Sequence, residues 1–265
     1  MKKYVVIGNP IEHSLSPKLH NYWFKKKNLI ANYEKEKLSD NQLENFVKKI
    51  KDKQINGANV TVPFKEKIIP FVDELSEEAK EANSVNTIYL SGSKIKGHNT
   101  DILGFYLSLK NSDTKFRNNS ALILGAGGVT ASIIIALKRL GLKKIFICNR
   151  TKEKAIKLKD RFKFIEILDW GEAIKSDIII NSTSLGLNKN DTIDFNLDNF
   201  DKSSIFYDVI YKPDETNFLK NAKRKGCEVQ NGLMMFIYQA AESFKIWHNI
   251  EPAIDKDVIN FLKND

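Results

Sequence analysis

Short apolar runs alternate along the chain with longer segments in which apolar residues recur every three or four positions. Runs such as Tyr4–Ile7, Ala121–Leu124 and Ile145–Cys148 are typical of buried strands. The segment that begins at Asp40 has helical spacing instead, and its apolar face consists of Leu43, Phe46, Val47 and Ile50. Strands that alternate with amphipathic helices in this way predict an α/β fold.

The first hundred residues predict a small α/β domain. The elements expected there are strands at Tyr4–Ile7, Asn32–Lys37 and Ile55–Val62, a strand–turn–strand pair around the Ser-Gly-Ser turn at 91–93, and helices at Ser76–Glu81 and Ile102–Lys110. Ser16 followed by Pro17 predicts a further helix start, with Ser16 as the N-cap and Pro17 at the first helical position.

From residue 121 onward a strand, a glycine-rich turn, a helix and a second strand follow one another. The helix has an apolar stripe at Val129, Ile133, Ala136, Leu137 and Leu140, and Gly141 is placed to end it in a left-handed cap. Later strands are expected at Phe164–Ile167, Asp177–Ile180, Ile205–Ile210 and Cys227–Val229, and helices at Lys152–Phe162, Asn217–Gly226, Gly232–Trp247 and Asp255–Lys263. Six parallel strands predict a doubly wound, Rossmann-like sheet.

The glycine-rich turn contains Gly125, Gly127 and Gly128, and it indicates binding of a dinucleotide diphosphate. Glycines allow a tight turn and a close approach of the backbone, and the following helix N-terminus offers N–H groups and a favourable dipole. Thr130 occupies the third site of the fingerprint, where Gly or Ala is usual. A tight turn in an ordinary α/β fold is the alternative, and the flanking strands and helix favour the nucleotide site.

The segment Asn149-Arg150-Thr151-Lys152 follows the next strand, at the place where NAD-binding folds usually carry an acid for the ribose hydroxyls. An acid would repel a 2′-phosphate, whereas a guanidinium can bind it through two parallel hydrogen bonds. The sequence therefore predicts NADP rather than NAD. A solvated basic helix start is the alternative, because the chain is basic throughout.

Composition narrows the class of protein. The chain has 265 residues, of which 42% are hydrophobic and 28% charged, as is typical of a soluble globular protein. Its apolar runs are shorter than the roughly 20 residues of a membrane helix, and the N-terminal one is too short for a signal peptide. Cys148 and Cys227 lack metal-site spacing and lie in predicted strands, which indicates reduced, buried thiols. A cytoplasmic protein without a metal or a membrane partner is expected.

A net charge of +9 raises the question of nucleic-acid binding. The lysines are spread along the predicted amphipathic helices, however, and the sequence has no aromatic-rich RNA-binding signature. A basic balance also suits an enzyme whose substrate and cofactor are both anionic. We therefore expect a small-molecule substrate and no nucleic-acid partner.

Polar residues cluster where predicted strands end, which is where α/β folds bind ligands. They are Ser14, Ser16, Asn59, Thr61, Lys65, Asn86 and Asp101. Ser14 and Ser16 lie beside a helix N-terminus, which is a suitable place for a carboxylate. Asn86 and Asp101 lie at the two far ends of the predicted strand pair and so near each other. The alternatives are an ordinary surface lysine for Lys65 and helix caps for Ser16 and Asp101.

A series of short motifs runs in order along essentially the whole chain. They are GNPIEHSLSP at 8–17, GANVTVPFK at 57–65, VNT at 85–87, GHNTD at 97–101, GAGG at 125–128, NRT at 149–151, NST at 181–183, DVIY at 208–211 and NGL at 231–233, with Gln239 beyond them. This series resembles the shikimate dehydrogenase family, and it is far more specific than any single motif.

The resemblance implies NADP-dependent reduction of 3-dehydroshikimate to shikimate, in the route to aromatic amino acids. Lys65 and Asp101 are the implied catalytic pair, with Lys65 as the proton-transfer group. The implied substrate contacts are Ser14, Ser16, Thr61, Lys65, Asn86, Asp101, Tyr211 and Gln239. The implied NADP contacts are Gly125, Ala126, Gly127, Gly128, Val129, Asn149, Arg150, Thr151, Lys152, Glu153, Lys154, Val209 and Gly232.

The resemblance also implies two domains. Residues 1–101 with 238–265 would bind the substrate, and residues 102–237 would bind NADP, with the polar stretch 111–119 as the linker. Three departures from the family pattern concern the cofactor: the run Val129-Thr130-Ala131 lacks the frequent arginine, Met234 replaces a frequent glycine, and Asn231 replaces a frequent aspartate.

Two other functions stay open. A related oxidoreductase would act on quinate, or on both ring acids, often with NAD. A non-catalytic protein would bind nucleotide or nucleic acid without turnover, although the intact Lys65 and Asp101 argue against it. Assembly as a homodimer is a further possibility that stays open.

Overall fold

The computed structural model describes residues 1–112, 116–172, 174–188, 190–193 and 200–263. The chain forms two compact units, of which the first comprises Met1–Gly104 with Ile237–Asp265 and the second comprises Phe105–Phe236. The first unit is therefore built from two separate stretches of sequence. Residues 113–115 of the expected linker lie outside the described residues.

The first unit contains a mixed sheet of six strands. They are β1 (Lys2–Gly8), β2 (Ala31–Lys37), β3 (Gly57–Val60), β4 (Glu74–Leu75), β5 (Thr87–Ser91) and β6 (Lys94–His98), in the order β2-β1-β3-β5-β6-β4. Strand β1 is parallel to both β2 and β3, whereas β5 is antiparallel to both β3 and β6. Because β1 and β3 are parallel neighbours, the loops that follow them leave the sheet at the same edge.

Among the described residues, six α-helices belong wholly or partly to this unit: α1 (Ser16–Lys26), α2 (Leu43–Lys51), α3 (Glu77–Ala82), α4 (Asp101–Lys110), α8 (Leu233–His248) and α9 (Lys256–Lys263). The apolar face predicted for α2 is buried in the core of the unit, against strand residues such as Val5 and Ile7. The strand expected over Ile55–Val62 is shorter, because pairing with β1 extends only from Gly57 to Val60.

The prediction that Ser16 caps α1 is wrong. Ser16 is the first residue of the helix, and the N-cap position is Leu15. The hydroxyl oxygen of Ser14 lies 3.3 Å from the Ser16 nitrogen and accepts its N–H. A serine can bind the backbone N–H two residues further on, so Ser14 takes the local role that the sequence suggested for Ser16.

The second unit contains a parallel sheet of six strands, as predicted. They are β7 (Ser120–Leu124), β8 (Lys144–Cys148), β9 (Ile165–Leu168), β10 (Ile178–Asn181), β11 (Ile205–Asp208) and β12 (Glu228–Gln230), in the order β12-β11-β10-β7-β8-β9. The strand order changes direction between β7 and β10, and doubly wound sheets bind ligands beyond the carboxyl ends of such strands. The remaining helices are α5 (Thr130–Arg139), α6 (Lys152–Arg161) and α7 (Asn217–Arg224).

Helix α5 follows the glycine-rich turn. The predicted apolar stripe would bury one face of this helix, but the structure buries more than that face. Every residue from Thr130 to Leu137 is buried, so the first two turns have no solvent-facing side. The isoleucines at 134 and 135 explain this, because they add apolar side chains outside the stripe. Gly141 has a φ of +89° just after the helix, in agreement with the predicted left-handed cap.

The two cysteines differ from each other. Cys148 is buried in β8, as predicted, and burial raises the pKa of its thiol to about 12. The prediction for Cys227 is wrong, because this residue precedes β12 and is only partly buried. Its thiol lies 3.7 Å from the carbonyl oxygen of Asp201, in a connecting segment that packs against the edge of the core.

An aromatic cluster in the first unit encloses His20. The imidazole stacks on the Tyr33 ring at 4.4 Å and also packs against Trp23, Phe244 and Trp247. Neither ring nitrogen of His20 has a hydrogen-bond partner among the described residues. Burial, with a smaller contribution from His248, lowers the pKa of His20 to about 3. The folded protein therefore holds this side chain in its neutral form.

We expect this cluster to make the protein sensitive to acid. The unfolded chain takes up a proton on His20 below a pKa of about 6.5, whereas the folded chain resists it down to about 3. The free energy of unfolding should therefore decrease as the pH falls through this window, by up to about 1.4 kcal/mol per pH unit from His20 alone. Denaturant unfolding at several pH values would measure the slope. His20→Phe should make the slope shallower, and parallel stability curves for the two proteins would contradict the prediction.

Candidate active site

Lys65 and Asp101 form a buried ion pair in the first unit. The Lys65 ammonium donates a hydrogen bond to Asp101 Oδ2 at 2.6 Å, and the two side chains are 11% and 6% exposed. Lys65 follows β3, and Asp101 begins α4 directly after β6. The alternative roles as a surface lysine and a helix cap do not fit, since the lysine is largely buried and Asp101 is the first residue of α4 rather than the residue before it. A charged donor and its partner are thus held together at the strand ends.

Asn86 lies beside this pair, and its side-chain amide is fixed in orientation. Its Oδ1 accepts the backbone N–H of Thr100 at 2.8 Å, one residue before Asp101. Its Nδ2 then points toward Gln239 Oε1, at 3.4 Å. The structure thus brings together Asn86, Asp101 and Gln239, which are far apart in the sequence and which the family pattern had grouped.

A buried polar network behind these residues was missed by the sequence reasoning. Ser243 Oγ, one turn after Gln239 on α8, accepts a hydrogen bond from Asn59 Nδ2 at 3.0 Å and lies 2.7 Å from Thr87 Oγ1. Asn59, which looked like a ligand-binding residue, also accepts the Tyr33 hydroxyl at 2.6 Å and is 7% exposed. It therefore acts as part of the scaffold. The sequence did contain one indication of this network, because Ser243 is a polar residue within the largely apolar pattern of α8.

Ser14, Ser16 and Thr61 lie at the same edge of the mixed sheet. The two serine hydroxyls are 3.2 Å apart at the start of α1. Thr61 follows β3, where its N–H donates to the Ile7 carbonyl at 2.9 Å, and thus lies against the end of β1. Three hydroxyl groups of this kind suit a polar ligand better than an apolar one.

The glycine-rich turn of the second unit is closely packed. Gly125 has a φ of +112°, and a Cβ atom at this position would lie 2.7 Å from Thr183 Cγ2. Two N–H groups of the turn already have partners, because Ala126 donates to Asn149 Oδ1 and Gly127 donates to Thr130 Oγ1, both at 3.0 Å. A bound phosphate would have to replace these partners or use the N–H groups of Val129 and the first turn of α5.

Thr130 therefore has a structural effect that its place in the motif did not reveal. Its hydroxyl accepts from Gly127, lies 3.3 Å from the Gly125 carbonyl oxygen and lies 3.1 Å from Ser182 Oγ. The side chain ties the turn to the loop after β10. Gly or Ala at this site could not make these hydrogen bonds. Thr130 thus departs from the fingerprint but stabilises the turn through its hydroxyl group.

The predicted 2′-phosphate site lies at the end of β8. Asn149 is partly buried and bridges to the Thr151 carbonyl oxygen at 2.7 Å, so it supports the turn. The residues that follow are all exposed: Arg150, Thr151, Lys152, Glu153 and Lys154. Lys152 pairs with Asp169 at 2.7 Å, but both side chains are exposed, and such pairs contribute little. Arg150 and Lys154 are the most available cations of this segment.

Val209, Tyr211, Gly232 and Met234 lie after the last two strands. A Cβ atom on Gly232 would lie 2.1 Å from the Val209 carbonyl oxygen, so only glycine permits this approach of the two segments. The Tyr211 ring stacks on Phe236 at 4.6 Å and is partly buried, and Met234 is also partly buried. These residues belong to the same edge of the parallel sheet as the glycine-rich turn.

This set of residues fits an anionic dinucleotide. Helix α5 has no acidic residue in its first turn and no side-chain N-cap among the described residues, so its dipole and N–H groups favour an anion. The exposed Arg150 lies at the end of the neighbouring strand, where a 2′-phosphate would be placed. Within the described ranges, no three His, Cys, Asp or Glu side chains are grouped to hold a metal ion. No described helix combines the length and apolar character needed to cross a membrane.

Comparison with known proteins gives a consistent result. Three family models match: the shikimate dehydrogenase substrate binding domain over residues 6–88, shikimate / quinate 5-dehydrogenase over residues 107–195, and the shikimate 5′-dehydrogenase C-terminal domain over residues 232–256. A shikimate dehydrogenase (NADP(+)) from Pelagibacter ubique is 56% identical over 98% of each chain.

Solved structures agree with these matches. The crystal structure of shikimate dehydrogenase from Aquifex aeolicus has a TM-score of 0.92 and 40% identity, and the match covers 100% of this chain and 98% of that one. A Thermus thermophilus shikimate 5-dehydrogenase in complex with NADP(H) and shikimate has a TM-score of 0.87 and 30% identity, with 99% and 98% covered. The expected two-domain α/β architecture is thereby confirmed, and the chain belongs to the shikimate dehydrogenase family.

Proposed function

We propose that this protein catalyses the reversible, NADP-dependent reduction of 3-dehydroshikimate to shikimate, a step of aromatic amino acid biosynthesis. The buried Lys65–Asp101 pair carries the proposal, because a family chain with this pair intact has the group that the reaction needs. The names of the Pelagibacter relative and of the Thermus complex support the same cofactor and substrate.

Proton transfer is the role proposed for Lys65. Reduction of a ketone by hydride leaves an oxygen that must take up a proton, so a donor is required within hydrogen-bond reach. The Lys65 ammonium can supply it, and Asp101 orients that ammonium through the 2.6 Å hydrogen bond. In the opposite direction Lys65 accepts the proton from the shikimate hydroxyl. NADPH, when bound, supplies the hydride.

Substrate binding is proposed for hydroxyl and amide groups of the first unit. Ser14 and Ser16 would bind the ring carboxylate, since their hydroxyls lie together beside a helix N-terminus. Thr61, Asn86 and Gln239 would bind the ring hydroxyls together with the Lys65–Asp101 pair. Tyr211 of the second unit is proposed as a further substrate contact.

Cofactor binding is proposed for three segments of the second unit. The glycine-rich turn from Gly125 to Val129 would bind the diphosphate, and the segment from Asn149 to Lys154 would bind the adenosine ribose and its 2′-phosphate. Val209 and Gly232 would lie near the nicotinamide. The first unit is accordingly proposed as the substrate-binding domain and the second as the NADP-binding domain.

An assay of the purified protein with two acids and two cofactors tests this function. We expect NADP⁺ reduction with shikimate, much slower reduction with quinate and weak activity with NAD⁺, all followed by the absorbance of the reduced nicotinamide. Comparable turnover with quinate would favour the dual-specificity alternative. Binding of NADP⁺ without turnover of either acid would favour the non-catalytic one.

Two further expectations stay predictions. Assembly as a homodimer can be measured by sedimentation or light scattering. The free thiols of Cys148 and Cys227, which suit a reducing compartment, support a location in the cytoplasm. Fractionation of the source cells would test the location.

A further inference from the structure

Asp208 is a fully buried carboxylate at the end of β11, and the proposed chemistry does not use it. Its side chain accepts three hydrogen bonds. Oδ1 accepts the Asn181 amide at 3.1 Å and the Ile210 N–H at 3.0 Å, and Oδ2 accepts the Thr216 hydroxyl at 2.7 Å. Burial raises the pKa of Asp208 to about 6, although these hydrogen bonds act in the opposite direction. A buried carboxyl group without hydrogen-bond partners would lower the stability of the fold, and these three donors compensate for its burial.

The first branch of this network fixes the loop after β11. Because Asp208 accepts the N–H of Ile210, the chain turns around the aspartate and Val209 is held between the two bonded residues. The Ile210 carbonyl oxygen then accepts the Gly232 N–H at 3.1 Å. The Gly232 backbone lies directly against the Val209 carbonyl group. The position of both proposed nicotinamide contacts thus depends on the turn at Asp208.

The second branch fixes the loop after β10. Asn181, whose amide is bound by Asp208, uses its own Oδ1 to accept the N–H of Thr183 at 3.0 Å and its hydroxyl at 2.7 Å. Thr183 in turn packs against the backbone of Gly125, since a Cβ atom there would lie 2.7 Å from its methyl group. One carboxylate therefore supports the glycine-rich turn from one side and the Val209–Gly232 contact from the other.

We propose that Asp208 is a positioning residue for the dinucleotide, which sets the spacing between the diphosphate end and the nicotinamide end of its site. This inference rests on the proposed NADP-binding function and adds to it a residue that does not itself touch the cofactor. A single acceptor group that orders two loops can have this effect because binding groups must be held within a fraction of an ångström.

The chain offers a matched control for this role. Asp177, at the start of β10, is also buried and also accepts three hydrogen bonds, from the backbone N–H groups of Asn118 and Ser120 and from the Asn118 amide. It lies at the amino end of a neighbouring strand, away from the loops that follow β10 and β11. Asp177→Ala should therefore lower stability in a similar way without moving the dinucleotide site.

The test is calorimetric binding of NADP⁺ and of shikimate to the full-length wild type, Asp208→Ala, Asp208→Asn and Asp177→Ala, together with melting temperatures. Asp208→Ala should weaken NADP⁺ binding roughly tenfold and shikimate binding far less, because Tyr211 is the one proposed substrate contact in the two ordered loops. Asp208→Asn should recover most of the affinity, since its oxygen can still accept two bonds and the Thr216 hydroxyl can turn to accept the third. Asp177→Ala should bind NADP⁺ like the wild type.

Equal NADP⁺ affinity in Asp208→Ala and the wild type would overturn the inference, as would an equal loss in Asp177→Ala. Should Asp208→Ala fail to fold, Thr216→Val removes one of the three donors, and it should weaken NADP⁺ binding by a smaller factor, again with less effect on shikimate. An unchanged NADP⁺ affinity in that variant would also overturn the inference. A wild type that binds no NADP⁺ would instead contradict the proposed function itself.

Discussion

Lys65→Met should lower the turnover number by about two orders of magnitude or more, because the loss of a general acid–base group typically costs that much. Methionine keeps the apolar stem of the lysine and removes only its ammonium. The Michaelis constants for shikimate and NADP⁺ should change much less than the turnover number, since the lost interaction is made with the oxygen that gains or loses the proton. Steady-state kinetics in both directions would measure this split.

The buried ion pair complicates this experiment, and two further variants resolve it. Removal of one partner leaves the other charge buried without compensation, which costs about 3–5 kcal/mol of stability. The double variant Lys65→Met with Asp101→Asn removes both charges, so it should regain stability but not activity. Lys67→Met changes an exposed lysine that pairs with Asp40, and it should leave the turnover number unchanged. Near-normal turnover in a folded Lys65→Met protein would refute the proposed role.

Arg150→Gln should weaken the use of NADPH and leave the use of NADH nearly unchanged. Hydrogen bonds to charged groups contribute about 1.5–3 kcal/mol, which corresponds to a roughly tenfold to hundredfold loss in kcat/KM for NADPH. Arg150 is exposed at the end of β8, and the neighbouring Lys152 is already paired with Asp169. The ratio of kcat/KM values for the two cofactors is the quantity to measure, because it cancels effects on stability.

Arg161→Gln is the matched control for this prediction, since Arg161 lies at the other end of α6 and is also exposed. It should leave the cofactor ratio unchanged. If Arg150→Gln affected NADPH and NADH equally, the 2′-phosphate site would have to lie elsewhere, and Lys154 would be the next residue to change. A preference for NADH in the wild type would contradict the prediction of NADP, which rests on the lack of an acidic residue after β8.

The parallel sheet of the second unit could be predicted almost completely from the sequence. Most of its strands are short apolar runs buried on both faces, such as Ile178–Asn181 and Ile205–Asp208. Such signals are local and strong. The weaker signals were at the ends of elements, as the strand at Ile55–Val62 shows, because strand length is decided by the neighbour with which it pairs.

The proximity of Asn86 and Asp101 could be foreseen, since a tight strand pair brings its two far ends together. The partner of Asp101 could not be derived in the same way, because Lys65 comes from the loop after another strand and was one of 42 lysines and arginines. Its place after a predicted strand made it a candidate, and the order of motifs along the chain paired it with Asp101. Its 2.6 Å hydrogen bond with Asp101 depends on the tertiary structure and cannot be derived from the spacing of residues in the sequence.

The roles of Ser243, Thr130 and Asp208 were missed for a related reason. Each is a polar residue whose partners come from other elements, so the sequence pattern alone does not identify those partners. Ser16 shows the opposite error, in which a strong local signal was assigned to a residue inside the helix, whereas Leu15 holds the N-cap position and Ser14 accepts the Ser16 N–H.

The division of the first unit into two stretches of sequence has a consequence for synthesis on the ribosome. Phe244 and Trp247 of α8 pack against His20, and Trp23 donates its indole N–H to the Ala253 carbonyl oxygen at 3.0 Å. The nascent N-terminal stretch must therefore wait for residues beyond Ile237 to emerge before its aromatic cluster can close. The second unit is continuous from Phe105 to Phe236 and has no such dependence. We expect it to acquire protease resistance first during translation, with the earlier-made segment maturing last.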